Sequence, residues 1–163
     1  MPIIQGSSNA IEVGTAPVDG TDAVQDIDID GSPTGGTFRL AFEGFVTDPI
    51  DYDCDDAALE AAVEALPNVG AGGFTVAGTN PNFAGTFGAN LAKKLVGVIS
   101  LYDNSLEGDG DEGVTITNTT PGVDATRRGA KTGALIKDVD SGVLYVNTGT
   151  ALEPTWTVVG TQT

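Results

Sequence analysis

The chain has 163 residues, with 23 Asp and Glu against seven Lys and Arg, no His, and a formal net charge of −16. So acidic a surface excludes DNA or an anionic membrane as the main partner, because phosphate binding needs clustered cations. The lack of His removes imidazole metal sites and the usual nucleophile–base pairs. The length accommodates one domain with appendages or two small units with a modest core, and the single Cys54 has no internal disulfide partner.

Residues 1–23 scatter short apolar side chains among Gly, Ser, Thr, Asp and Pro with no sustained period. Such a segment cannot bury enough surface to offset its ordering entropy. It reads either as a solvated tail or as an extended arm that orders along a partner by edge-strand pairing, with Ile3, Ile4, Ile11 and Val13 as anchors. It lacks the basic region and long apolar run of a secretory signal, and no window reaches the length that spans a bilayer.

Asp26, Asp28 and Asp30 alternate with Ile27 and Ile29 and are followed by Gly31, the opening of a calcium-loop pattern. The twelfth position of that pattern is Thr37, which cannot supply the bidentate carboxylate. A strand here would set the carboxylates roughly 6.6 Å apart along one solvated face, so the three acids are weak metal candidates. Gly31 to Gly36 reads as a hairpin turn into the next strand. In Thr37 to Glu43, Phe38, Leu40 and Phe42 alternate with polar or small residues, the pattern of a strand with one buried face. After Gly44, a second alternation through Val46, Ile50 and Tyr52 carries Pro49, which removes a ladder donor and predicts an edge strand or an early end.

The period then changes. Leu59, Ala62, Val63 and Leu66 have helical spacing, Asp55 or Asp56 can cap the first turn, and Pro67 stops the run. Cys54, just before this helix, reads as a small semi-buried side chain. A Gly-rich return leads to a strand at Phe74 to Val76, a loop at Thr79 to Asn82, and a strand at Phe83 to Phe87 with Gly85 as a candidate bulge. Leu91, Leu95 and Val98 fit a helix, but the β-branched Val96, Val98 and Ile99 favour a buried strand from Leu95 to Leu101. Glu107 to Gly113 reads as an acidic loop, and Val114 to Thr117 as the closing strand.

Residues 125–133 form a linker holding three of the seven cations, Arg127, Arg128 and Lys131. They offer a contact for a neighbour's carboxylates, which arginine pairs bidentately. Leu135-Ile136, Val143 to Val146 and Thr155 to Val159 are short β runs separated by turn residues, a sheet marginal by itself. Tyr145 and Trp156 carry much of its apolar area and are candidate contact residues. The whole reads as α+β, mostly β, organised as an arm (1–23), a core domain with one short helix (24–124), a linker (125–133) and a small C-terminal β unit (134–163).

The stretch from Gly35 to Val76, GGTFRLAFEGF, then IDYD, then a short Ala/Glu helix ending EALPNVGAGGFTV, resembles a module recurring in head decoration and minor capsid proteins of actinobacterial tailed phages. The likeness extends upstream into Val24 to Ile29, and Gly142 to Gly160 is similar to a terminal motif of phage head and tail appendage proteins. The resemblance implies a capsid decoration, or cement, protein that acts without catalysis or cofactor on the outer surface of the head and bridges capsomers. Its implied partners are the major capsid protein and other copies of itself, as a homotrimer. Two further classes fit the same module: a receptor- or glycan-binding part of a tail appendage or cell-surface protein, and a tail-tube or head-completion subunit.

Overall fold

The computed structural model describes residues 12–14, 16–126 and 129–160, and these fall into two compact units. One is continuous, Asp22–Val123. The other joins the two ends of the chain, the described residues up to Thr21 with those from Asp124 onward. The fold is mostly β with a single α-helix.

Strand β1 (Glu12–Gly14) belongs to the terminal unit, and the central unit begins with β2 (Val24–Asp30). In β2 the alternation is obeyed: Gln25, Ile27 and Ile29 are buried, while Asp26, Asp28 and Asp30 point outward. The chain then departs from the expected hairpin. Gly31 and Ser32 both have positive φ, 80° and 54°, and the turn delivers β3 (Gly35–Phe42) into a different sheet from β2. The physical reason is burial. Each strand has one apolar face, and placing the two in separate sheets lets both faces contribute to one core.

Phe38, Leu40 and Phe42 of β3 are almost completely buried. Glu43 and Gly44 follow with φ of 46° and 89°, the two left-handed residues of a type I′ hairpin, which pairs Phe42 with Phe45 in β4 (Phe45–Val46). The expected strand from Val46 to Tyr52 is split at Asp48 and Pro49. Buried Thr47 bridges the gap, its amide donating to Leu40 O at 2.9 Å and its hydroxyl accepting from Leu40 N at 3.0 Å. Pairing with β3 resumes in β5 (Ile50–Asp51).

Helix α1 (Asp56–Glu64) is capped by Asp55, whose carboxylate accepts from Ala58 N at 2.8 Å, and it buries Leu59 and Val63. Its outer side chains also serve the sheet. Glu60 accepts from Val76 N at 2.8 Å in β6 (Phe74–Thr79), so an edge-strand donor is satisfied by the helix. β6 pairs with β7 (Asn82–Phe87). Gly85 is not a bulge: the Phe74 ring lies where its side chain would be, a Cβ there falling 2.0 Å from Phe74 Cζ. The Phe42 and Phe74 ring centroids each lie 5.0 Å from that of Phe87, the first ring tilted and the second edge-on.

The largest difference from the sequence expectation lies between Leu91 and Ser100. One 3-10 turn (Ala89–Leu91) is followed by irregular backbone, and β8 begins only at Ser100 (Ser100–Glu107). Three contacts pin the irregular stretch. Asp22 accepts from Lys93 N at 2.6 Å, the carbonyl of Lys94 packs against Gly122, and the fully buried Gln25 clamps both sides of Val98. Gln25 Nε2 donates to Gly97 O at 2.9 Å and its Oε1 accepts from Ile99 N at 2.8 Å. β8 pairs with β3, β9 (Gly113–Thr120) pairs with β2, and the central unit is thus two sheets, β6-β7-β2-β9 and one built around β3.

In the terminal unit, β10 (Leu135–Asp138), β11 (Leu144–Asn147) and β12 (Trp156–Val158) form an antiparallel meander, and β1 adds to β10 in parallel. Where the sequence reading separates arm, linker and C-terminal unit, these contacts join them. The buried Asn147 ties the last two together: its amide donates to Ala130 O at 2.8 Å and accepts from Gly149 N and Thr155 N, each at 2.9 Å.

Replacing Gln25 with Met keeps the volume but leaves Gly97 O and Ile99 N without partners in a buried site. Urea denaturation should then show a loss of about 2–4 kcal/mol, whereas Asp26→Asn on the outward face should change stability by less than about 0.5 kcal/mol.

Candidate functional site

The sequence candidates are distributed rather than gathered. Asp26, Asp28 and Asp30 stand at alternate outward positions of β2, and Asp30 accepts from the Thr115 hydroxyl at 2.6 Å. Among the described residues no three His, Cys, Asp or Glu come together to hold a metal ion. The weak metal candidates are thus not brought to one point, because an extended strand spaces them out. Ile3, Ile4, Ile11, Arg127 and Arg128 lie outside the described residues. Val13 is described by its backbone, which pairs with Lys137 of the same chain in β10. Lys131 is exposed and Tyr145 half-buried in β11.

Trp156 is buried, its indole N–H donating to Thr126 O at 3.0 Å and its backbone N–H to Asp19 at 2.8 Å. Its ring is spent on holding the terminal unit together and is not presented to a partner. Cys54 is likewise buried. Burial pushes its thiol up to about 11, with the carboxylates of Asp55, Asp53 and Asp51 adding to the effect, so the nucleophilic thiolate is suppressed at neutral pH.

Charge is divided very unevenly between the units. Asp22–Val123 holds seventeen acids and three cations, a net charge of −14, while the remainder of the chain holds six acids and four cations, a net charge of −2. Within the central unit the acids also concentrate at one end. The turn after β2 together with Asp30 that leads into it, the loop from Asp51 to Asp56 and the loop from Glu107 to Glu112 carry nine of them. The first and third of these loops touch: a Cβ on Gly31 would fall 2.6 Å from Asp111 O.

The other end of the unit has the opposite character. The irregular stretch after Leu91 presents Leu95 at 64% and Val98 at 50% exposure, next to Lys93 and Lys94, two of the unit's three cations. The β3–β4 hairpin presents Phe45 at 43% exposure. The two are neighbours, since a Cβ on Gly97 would meet Glu43 Cγ at 3.4 Å and the Phe42 ring at 3.9 Å. Exposed apolar side chains, with Lys93 and Lys94 beside them and Glu43 on the adjoining hairpin, therefore sit on backbone that is fixed by buried hydrogen bonds. Sequence reasoning placed Leu95 and Val98 inside a strand and so missed it. The available signals were Gly97 interrupting the β-branched run and the adjacent lysine pair, both unusual in a buried strand.

No protein-family profile and no curated protein sequence matches the chain. Among solved structures, a protein of Mycobacterium phage Patience is similar, at 21% identity and a TM-score of 0.46 over 85% of this chain and 55% of that one. The chain thus spans about half the length of that protein.

Native protein at pH 8 should leave Cys54 unmodified by an aromatic disulfide reagent, with one thiol released on unfolding in urea. A thiol pKa raised on folding gives stability that is complete below the ordinary thiol range and is lost as pH rises toward 11. The denaturation midpoint should fall across that interval, and Cys54→Ala should remove this part of the pH dependence.

Proposed function

We propose that this chain is a non-enzymatic structural protein of a tailed-phage virion, a decoration protein that binds the major capsid protein on the outer surface of the head and bridges adjacent capsomers. The observation that carries the reading is the polarity of the central unit: exposed Phe45, Leu95 and Val98 flanked by Lys93, Lys94 and Glu43, on a body nine of whose seventeen acids gather at the opposite end. The resemblance of Gly35 to Val76 to head decoration modules supplies the class of partner.

Charge selects the orientation. Like charges repel over about 8 Å at physiological ionic strength, so an acidic unit approaches another acidic protein surface most readily through its less acidic, lysine-bearing end. Desolvation of the exposed apolar side chains then supplies about 25 cal/mol for each Å² removed from water. The acidic end is left in solvent, where it keeps free copies apart. Stabilisation of the shell follows from mass action, because a ligand that binds only the assembled lattice lowers that lattice's free energy, and many copies multiply a small effect. Copies acting as a homotrimer would place several such surfaces at once. The exposed Lys131 and its neighbours Arg127 and Arg128 add a second set of cations for the shell's carboxylates.

Co-sedimentation of purified protein with undecorated heads tests this. Wild-type protein should bind and raise the temperature at which heads open. Leu95→Asp and Val98→Asp should weaken binding at least tenfold with the thermal unfolding of the free protein unchanged, and Lys93→Glu with Lys94→Glu should weaken it most at low salt. Absence of wild-type binding would refute the decoration reading.

A further inference from the structure

At the acidic end of the central unit, three turns enclose an open cleft of about 470 Å³: the turn after β2, the Tyr52-Asp53 turn before α1, and the β6–β7 turn at Asn80 to Asn82. The decoration reading makes no use of it. We propose that this cleft is a binding site for a neutral saccharide, a single pyranose ring or a short chain presenting neighbouring hydroxyls.

The walls of the cleft are built and mutually fixed. Asn80 spans two of the turns, its amide donating to Tyr52 O at 2.9 Å and to Cys54 O at 3.2 Å. Ile29 N donates to Pro81 O at 2.8 Å, tying the β2 end to the β6–β7 turn, and Tyr52 N donates to Gly36 O at 3.1 Å. Gly31 is packed on the backbone of Asp111 so closely that no side chain would fit. A cleft whose three turns are stitched together by backbone-directed bonds keeps its shape without a ligand, and ordering it costs the ligand little.

The lining has the chemistry of a sugar site. The half-buried Tyr52 and the rings of Pro33 and Pro81 give it an apolar side against which the C–H face of a sugar packs. The exposed carboxylates of Asp30 and Asp53 are hydroxyl acceptors, and Asn82 brings an amide that both donates and accepts. A pyranose has this pairing of an apolar face with a rim of hydroxyl donors. No Lys or Arg lines the cleft, so nothing there offsets the charge of a phosphate, sulfate or uronate, which the two carboxylates would repel. A divalent cation is the weaker alternative, since among the described residues no third acid converges with Asp30 and Asp53.

The test is an amide chemical-shift titration of the full chain with glucose, galactose, mannose and N-acetylglucosamine, and separately with glucuronate and with calcium chloride. At least one neutral sugar should move the resonances of Tyr52, Asp53 and Asn82, with a dissociation constant on the order of 1 mM. Asp53→Ala and Tyr52→Ala should each weaken it fivefold or more. Asp53 is exposed, so its variant remains informative if the tyrosine variant unfolds, and it should still co-sediment with heads, which separates this site from the capsid surface. No shift with any neutral sugar up to roughly 20 mM, shifts confined to other parts of the chain, tighter binding of glucuronate or calcium at these residues, or sugar binding indifferent to Asp53→Ala would each overturn the proposal.

Discussion

Gln25 lies at the inner face of β2 with no exposed surface, and its amide makes the two hydrogen bonds that a neighbouring strand would otherwise make to Gly97 and Ile99. A buried amide without partners costs on the order of 1–3 kcal/mol, as do the backbone groups it would leave behind, so this side chain and this segment require one another. The clamp frees the segment from strand geometry while holding it in place. In a strand, Val96 and Val98 would point to one face and Ile99 to the other. Here Val96 and Ile99 are buried and Leu95 and Val98 face water. The exposed apolar end of the central unit is therefore a product of a polar residue in the core.

The same substitution of side chain for ladder recurs. Thr47 completes the pairing of Leu40 across the interruption at Pro49, and Glu60 supplies the acceptor for Val76 at the β6 edge. Each polar group is placed where regular pairing stops, and each satisfies a backbone donor that water would otherwise have to reach. The result is a small core in which Phe42 and Phe74 pack on Phe87 among aliphatics, closed at its margins by specific hydrogen bonds rather than by more strands. A unit of this size buries too little apolar surface to leave such groups unpaired.

The terminal unit obeys a different logic. None of its strands exceeds four residues, and it is assembled from both ends of the chain, so its stability depends on closing a long loop through the central unit. Asn147 and Trp156 provide the cross-links, and Asp138 fixes the turn between β10 and β11. Asp138 accepts from the Ser141 hydroxyl and from Asp140 N, and these bonds hold its carboxyl below the ordinary range. What the turn gains from that charge is present above the normal Asp range and is lost as pH falls below it. The acid-rich composition thus repels neighbours at neutral pH and also serves local structure as turn and cap acceptors.

The sequence by itself determined the local conformations. Alternation placed β2 and β3, and Asp55, the 3.6-residue spacing and Pro67 bounded α1. Gly and Pro marked the turns. These are properties of a few neighbouring residues, and period and turn chemistry report them directly. Tertiary structure alone decided that β2 and β3 enter different sheets, that Glu12–Gly14 pairs with Leu135–Asp138, that Trp156 is buried, and that Leu95 and Val98 are exposed. Each of these rests on a contact between residues far apart in the chain, where side-chain patterning sets which face is apolar but not which surface covers it. Only packing distinguishes a β-branched run that fills a core from one that a buried amide holds at the surface.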